Sequence, residues 1–576
     1  MNLLEDPAQA AEIAHLERMI ARLEAGLEDP LDFQRYRLEN GIYGIRGASD
    51  RHMVRVKLPF GRVTPEQLEA LAEAADRFTP HRKAHLTTRQ AVQLHHVQRR
   101  DLPELLRHLA RAGLTTREAC GNTVRNVTAC PYAGIAPDEP FDVTPYAEAT
   151  FRYFLRHPVA QNLPRKFKIA FEGCRTDHAR VAIHDIGAVA VRDAEGRPGF
   201  RIHVGGGLGA APRAAVLLEP FTPAEDLIPT IEAVLRVFDR HGNRKVRTQA
   251  RLKFLVKQWG ADALREAVLA ERRVVKATRS GRALTAQPTL EEEGPPELEP
   301  LPAVGAVPPG FAEWAATNVV PQRQAGWATV IVRCPLGDVT SDQLRALARI
   351  ARRYNGGRVR SAITQNLLLR WVPEAALPQV YAALHAAGLA AAGGHTLADV
   401  TRCPGADTCN LAITRSRGLA QALQGLLETE LRAHPALKDL TLKISGCPNS
   451  CGQHHIADIG FYGAARTVDG REVPHYVLLL GGGTTLEGAR FGKPVARIPA
   501  RRVPEAVRAV LERYLAERQE GEGFTAFVDR VGPASFKPLL EPFTQVPPYA
   551  EAPEFYTDLG GEGAFRVQVG EGECGV

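Results

Sequence analysis

Four of the chain's nine cysteines fall in two close pairs, Cys403-Pro-Gly-Ala-Asp-Thr-Cys409 and Cys447-Pro-Asn-Ser-Cys451. Four thiolates grouped in this way can ligate a metal centre. The gaps within the pairs are wider than the C-x2-C knuckles usual for structural zinc, so an iron–sulfur cubane is the better reading, with zinc as the alternative. Glycine and proline beside each pair let backbone amides approach cluster sulfurs, which tunes a reduction potential. The bland alternative is four buried structural thiols. Cys120, Cys130, Cys174, Cys334 and Cys574 are scattered over both halves, and Cys130, Cys174 and Cys334 read as core thiols. An odd number of cysteines in a large chain argues against a disulfide framework.

A second group of residues is cationic. Lys166 and Lys168 are two apart in a strand-like segment, which puts both ammoniums on one face. Desolvated like charges repel there unless an anion sits between them. Arg55, in Met-Val-Arg-Val-Lys, and Arg125, in Gly-Asn-Thr-Val-Arg-Asn, read singly as solvated charges. The net charge of +7 arises from 72 basic and 65 acidic residues, and fits an arginine-rich surface as well as it fits an anion site.

The elements that must carry these residues come from an internal repeat. Val56 to Leu68 aligns with Arg333 to Leu344, placing Pro59 on Pro335, Gly61 on Gly337 and Gln67 on Gln343. The same register sets Leu86–Leu94 against Ala362–Arg370, so that Gln365 and Asn366 stand opposite Arg89 and Gln90; after one deletion, Leu109–Leu114 meets Leu384–Leu389. Each copy reads strand, turn, helix, strand, helix, because apolar alternation gives way to a helical period. A looser pair sets Lys166–Cys174 against Leu442–Cys447, each followed by an Asp-Ile-Gly strand start. The expected order is an N-terminal helical segment (1–45), a first repeat (46–120), a first cofactor domain (121–285), a Pro/Glu-rich linker (286–310), a second repeat (311–395), a second cofactor domain (396–530) and a C-terminal tail (531–576). No apolar run approaches the roughly 18–20 residues of a membrane span, and the N-terminus lacks a secretion pattern. A cytoplasmic location is expected.

With both residue groups in view, the chain resembles the sirohaem- and [4Fe–4S]-containing sulfite and nitrite reductases from about Gly41 to about Gly532. The fold the resemblance implies is α/β, with two pseudo-symmetric halves, each a ferredoxin-like repeat plus a mixed-sheet cofactor domain. It implies that Cys403, Cys409, Cys447 and Cys451 hold the cubane and that Cys451 also bridges to the sirohaem iron. Arg55, Arg125, Lys166 and Lys168 match the family's catalytic cage around the anion. The second lysine of Lys-x-Lys, where nitrite-reducing relatives typically carry Asn, favours sulfite. Arg89 and Gln93 match positions that touch the macrocycle, whose eight carboxylates call for a basic pocket. Gly205, Gly206 and Gly207 would allow close backbone approach to it, and Gln365, Asn366 and Asn449 join the expected contacts. Tyr43 and Cys120 match a pair that is covalently joined in some relatives.

The activity so implied is six-electron reduction of sulfite to sulfide, with nitrite to ammonia as its alternative. Electrons would come from reduced ferredoxin or a separate flavoprotein, since no flavin or nicotinamide motif is visible. No nucleic-acid or membrane partner is expected; the remote rival is a zinc-stabilised nucleic-acid binder, suggested by the pI of about 8.9.

Overall fold

The computed structural model describes residues 2–278, 293–301, 303 and 305–570; Cys574 and the stretch 286–292 of the expected linker lie outside them. The first repeat is a sheet of strands Ile42–Ile45, Ala48–Lys57, Ala91–Gln98 and Lys83–Leu86, packed with helices Pro65–Phe78 and Leu102–Arg111. The second repeats this with Val319–Pro321, Trp327–Val332, Leu367–Pro373 and Val359–Ser361, and with helices Ser341–Asn355 and Leu377–Ala386. Both long helices start at a capping box, Thr64 with Gln67 and Thr340 with Gln343, which satisfies the first free amides reciprocally.

Each repeat completes the other's sheet. Asp338–Thr340 pairs with the first repeat at Lys83–His85, and Arg62–Val63 pairs with the second at Val359–Arg360. The turns delivering these strands are Pro59-Phe60-Gly61 and Pro335-Leu336-Gly337, with Phe60 and Leu336 at φ of 45° and 61°. A Cβ on Gly61, itself at φ +78°, would lie 2.3 Å from the Ser361 carbonyl oxygen, so the crossing admits only glycine. One hydrophobic core is therefore common to both repeats, with Leu68 and Leu71 packed in the same cluster as Leu344 and Leu347.

The structure corrects part of the register read from sequence. Leu86 pairs with Val92 as Ser361 pairs with Leu367, so the one-residue deletion lies in the turn before Val359 and not further on. The counterpart of Gln365 is thus Gln90, and that of Arg89 is Thr364. Gln90 and Gln365 both have positive φ, at 49° and 67°. Their amides make matching bonds across the pseudo-symmetry axis: Gln90 Nε2 donates to the Ser361 carbonyl at 2.8 Å, and Gln365 Nε2 donates to that of Leu86 at 2.7 Å.

The two cofactor domains are also a matched pair. In the first, Thr128–Ala129, Ile169–Glu172 and Ile186–Arg192 run parallel, and Pro198–Val204 and Val216–Pro223 continue antiparallel. In the second, Thr401–Arg402, Leu442–Ser445 and Ile459–Val468 are parallel, followed by Arg471–Leu480 and Lys493–Pro499. The chain after Glu541 wraps the second domain: Asp558 accepts from the Arg415 amide at 2.7 Å, and the Gly570 amide donates to the Asn410 carbonyl at 2.9 Å. Among the described residues no helix is long and apolar enough to cross a membrane.

Candidate functional site

All four paired cysteines sit in loops that leave the parallel edge of the second cofactor sheet. Cys403 directly follows the strand Thr401–Arg402, and Cys447 follows Leu442–Ser445 by two residues. Cys403 and Cys447 are buried, Cys409 is half-buried and Cys451 is exposed. Burial, then the neighbouring Cys451 and Cys403 sulfurs, push the Cys409 thiol up to about 12; burial raises Cys403 and Cys447 as well, again reinforced by Cys451. Cys451 thus acts on all three of the others, so the loops bring the four into one neighbourhood. Backbone amides point at them: Gly446 N donates to Cys403 Sγ at 3.2 Å, and the Leu411 and Ala412 amides serve Cys409, as Asn449's does Cys447. A soft, all-sulfur donor set ringed by amides suits an iron–sulfur cluster better than a hard cation.

The cations come from the other half. Lys168 directly precedes the strand Ile169–Glu172, and its amide donates to Asp185 Oδ2 at 3.0 Å. Burial, followed by the charges of Arg89, Arg251 and Lys166, holds its ammonium well below the ordinary lysine range, while the Cys451 thiol acts in the opposite sense. Arg89 is brought down to about 9, by burial above all, with Asp185 opposing. Asp185, paired with Arg251 at 2.6 Å, is a buried acid set among these groups. The Nε atoms of Arg89, Arg213 and Arg251 are buried without a hydrogen-bond partner. So much positive charge held out of bulk water against a single carboxylate is costly unless an anion completes it. A further hydrogen bond joins the halves here, from Thr88 Oγ1 to the Cys451 carbonyl at 2.9 Å.

Two family profiles match this chain: the nitrite and sulphite reductase 4Fe-4S domain over residues 120–276 and 393–546, and the nitrite/sulfite reductase ferredoxin-like half domain over 45–112 and 320–387. The chain belongs to the nitrite and sulfite reductase family. The reductase is 32% identical over 485 residues to the sulfite reductase [ferredoxin] of Mycobacterium tuberculosis, covering 83% of this chain and 82% of that one. It is 29% identical over 532 residues to the assimilatory ferredoxin-dependent nitrite reductase of Haloferax mediterranei, covering 89% and 88%. The solved structure of Mycobacterium tuberculosis NirA protein superposes with a TM-score of 0.75 at 29% identity, covering 88% of this chain and 91% of that chain. The fold and the cofactors, sirohaem and a [4Fe–4S] cluster, are those of the family.

The reductase's remaining expected residues fall into three groups. Arg55 and Arg125 converge on Tyr43, each donating from Nη1 to its hydroxyl at 3.2 Å, and that hydroxyl donates to the Ala119 carbonyl at 3.3 Å, one residue from buried Cys120. Gln93 stands behind Arg55: in the amide orientation that satisfies both groups, its oxygen accepts from Arg55 Nε at 3.2 Å. Gln365 and Asn366 are buried with their amides spent on protein partners, Asn366 on Asp399 at 2.6 Å and the Cys334 amide at 3.0 Å. Gln365 joins the halves through the Leu86 carbonyl, whereas Asn366 ties together elements of the second half. Gly205 and Gly206 are required by the protein's own packing, since a Cβ would lie 2.4 Å from Val256, on a backbone at φ +76°, and 2.4 Å from the Ala182 carbonyl, whereas at Gly207 it would meet the movable guanidinium of Arg251 at 2.6 Å.

Sequence reasoning missed Arg251 and Asp185, and it missed Arg46. From the first half, Arg46 donates through Nε to the Cys409 carbonyl at 3.1 Å and through Nη2 to that of Ala412, while its amide binds the Thr408 carbonyl at 3.1 Å. Nothing local marks such a clamp. Its partners lie in the other half of the chain.

Proposed function

We propose that the reductase catalyses the six-electron reduction of sulfite to sulfide: Cys403, Cys409, Cys447 and Cys451 would hold the cluster, Cys451 would also serve the haem, and Arg55, Arg125, Lys166 and Lys168 would surround the anion. When bound, the cluster and the haem supply electrons one at a time to the anion. The chain's own part is electrostatic and protic. Lys166, Lys168 and Arg89, all half-buried, present positive charge where water screens it only in part, so that it acts on an anion more strongly than in bulk solvent. Lys168, whose ammonium burial already makes acidic for a lysine, is suited to give its Nζ proton to an oxygen leaving as water. Arg125 is fixed by the Gly121 carbonyl, at 3.1 Å from Nε and 2.7 Å from Nη2, and holds the Tyr43 hydroxyl proton toward Ala119 O.

The observation that carries sulfite over nitrite is the second lysine of the pair, Lys168, half-buried and within reach of the charges of Arg89, Arg251 and Lys166. A dianion gains more than a monoanion from that added charge. Nitrite is kept as the second reading by one finding: similar chains in Haloferax mediterranei and Synechococcus elongatus are named nitrite reductases. Reduced ferredoxin is the proposed donor, in line with the printed names of the relatives and with the net charge of +7, which attracts an acidic partner. Steady-state assays with reduced ferredoxin decide the substrate. A larger kcat/KM for sulfite is expected; a far larger value for nitrite overturns the assignment.

A further inference from the structure

The loops that carry the cluster cysteines have counterparts in the first half. The spacing that separates Cys130 from Cys403 also separates Cys174 from Cys447 and His178 from Cys451, and the local sequences match as Val127-Thr-Ala-Cys-Pro131 and Val400-Thr-Arg-Cys-Pro404. The backbone agrees: the Cys130 amide donates to the Phe171 carbonyl at 2.9 Å, as the Cys403 amide does to that of Ile444 at 3.2 Å. Ala136 stands where Cys409 does, and Glu172 where Ser445 does.

These first-half residues converge. One donor atom each from Cys130, Glu172, Cys174 and His178 lies within 4.8 Å of all the others. Cys130 Sγ is 3.3 Å from Cys174 Sγ and 3.5 Å from His178 Nδ1. The sulfur–sulfur distance is far beyond the roughly 2.05 Å of a disulfide. It is close to the separation of about 3.8 Å between two sulfurs bound at about 2.3 Å to one tetrahedral ion. Glu172 is wholly buried and pinned by backbone amides: Oε1 accepts from Gly173 and Cys174 at 2.9 Å, and Oε2 accepts from Ala179 at 2.8 Å. The His178 ring packs against Tyr132 at 4.9 Å, and the Tyr132 hydroxyl meets His395 Nε2 of the second repeat at 3.0 Å.

The two halves thus differ in span. Among the described residues, only the first-half group gathers three or more such donors within 4.8 Å of one another; the cysteines of the second half do not. Two thiols, an imidazole and a carboxylate, borderline-soft donors with room for a single ion, make a zinc-type site. We propose that Cys130, Cys174, His178 and Glu172 bind one divalent transition-metal ion of the zinc class, as a structural site at the position where the other half carries the cluster.

Holoenzyme purified without added metal and dialysed against chelator is analysed for zinc and by zinc K-edge X-ray absorption. The expected result is one zinc per chain, with two sulfur neighbours at about 2.3 Å and lighter atoms at about 2.0–2.1 Å. Cys174→Ser and His178→Ala should each lower zinc content tenfold or more while haem and labile iron are retained. If either variant fails to fold, the absorption spectrum and thiol count of the natural protein decide. A Cys130–Cys174 peptide lighter by two hydrogens, two free thiols in zinc-free protein, or zinc with an oxygen and nitrogen shell only would each overturn the site. Absence of haem would instead contradict the proposed function and leave this site untouched.

Discussion

The two halves share a fold position by position and divide the chemistry between them. Where the first half carries Arg55, Arg89, Arg125, Lys166 and Lys168, the matching positions of the second are Ile331, Thr364, Ala398, Asp439 and Thr441. Where the second half carries Cys409 and Cys451, the first has Ala136 and His178. One half keeps the cations and the other keeps the sulfurs. A duplicated scaffold therefore presents a cysteine-bearing face and a cationic face to each other, and hydrogen bonds such as Thr88 to Cys451 and Arg46 to Cys409 fix their register. The lesson is that the pseudo-symmetry supplies geometry, whereas its violations supply function.

The comparison is broken most severely by giving the first half's cage a neutral side chain. Lys168→Asn should lower kcat/KM for sulfite by roughly a hundredfold, about 2.7 kcal/mol, on the scale of losing one oriented charge-stabilising donor. The fall for nitrite should be smaller, so the ratio of the two kcat/KM values moves toward nitrite. An unchanged ratio would remove Lys168 from substrate choice.

A second contrast lies in the repeats' acid–base clusters. His85 and His95 of the first repeat occupy the positions of Arg360 and Arg370 in the second. His85 is buried against Asp338 with half-buried His95 packed on it, whereas the arginines hold Glu293, Arg360 at 3.0 Å and Arg370 at 3.4 Å. Burial alone would raise the Glu293 carboxyl, but the two guanidiniums outweigh it and pull it from 4.5 to about 2. A depressed carboxyl adds stability above its unfolded value, and that contribution is lost as pH falls from about 4.5 to about 2, up to roughly 3 kcal/mol. Unfolding followed against pH should therefore show a smaller acid-side loss in Glu293→Gln than in the natural protein; superimposable pH profiles would contradict the pairing.

The smallest effect probes what the halves hold in common. Gln90 and Gln365 make equivalent cross-axis bonds, so Gln90→Ala and Gln365→Ala should destabilise by similar amounts, about 2 kcal/mol each, by leaving buried backbone groups unpaired. Denaturant midpoints check this. A cost confined to one variant would show that the pair is not equivalent.

Some of this is legible in the sequence, and the rest is hidden for identifiable reasons. The cysteine pairs, the Pro-x-Gly turns and both capping boxes are local patterns, and the repeat is visible through them. The deletion before Val359 is misplaced by sequence alone because Leu86–Leu94 and Ala362–Arg370 align comparably well in two registers; the hydrogen bonds of Gln90 and Gln365 resolve it. The strand exchange has no local signature, since Arg62–Val63 and Asp338–Thr340 read the same whichever sheet they join. Cys130 and Cys174 read as core thiols, and both are buried, but the shared Val-Thr-x-Cys-Pro motif is a signal in plain view. Arg46, Asp185 and Arg251 act through contacts that only the fold creates.

Under the proposed function, Cys451 is the residue at which the sulfur-bearing half would meet the anion held by the other. Turnover with reduced ferredoxin, measured on Cys451→Ser alongside its haem absorbance and labile iron, tests this most directly. Loss of sulfite reduction to background, with spectra altered from those of the natural protein, is the predicted result; undiminished turnover, or a natural protein with full iron and no tetrapyrrole, would contradict it.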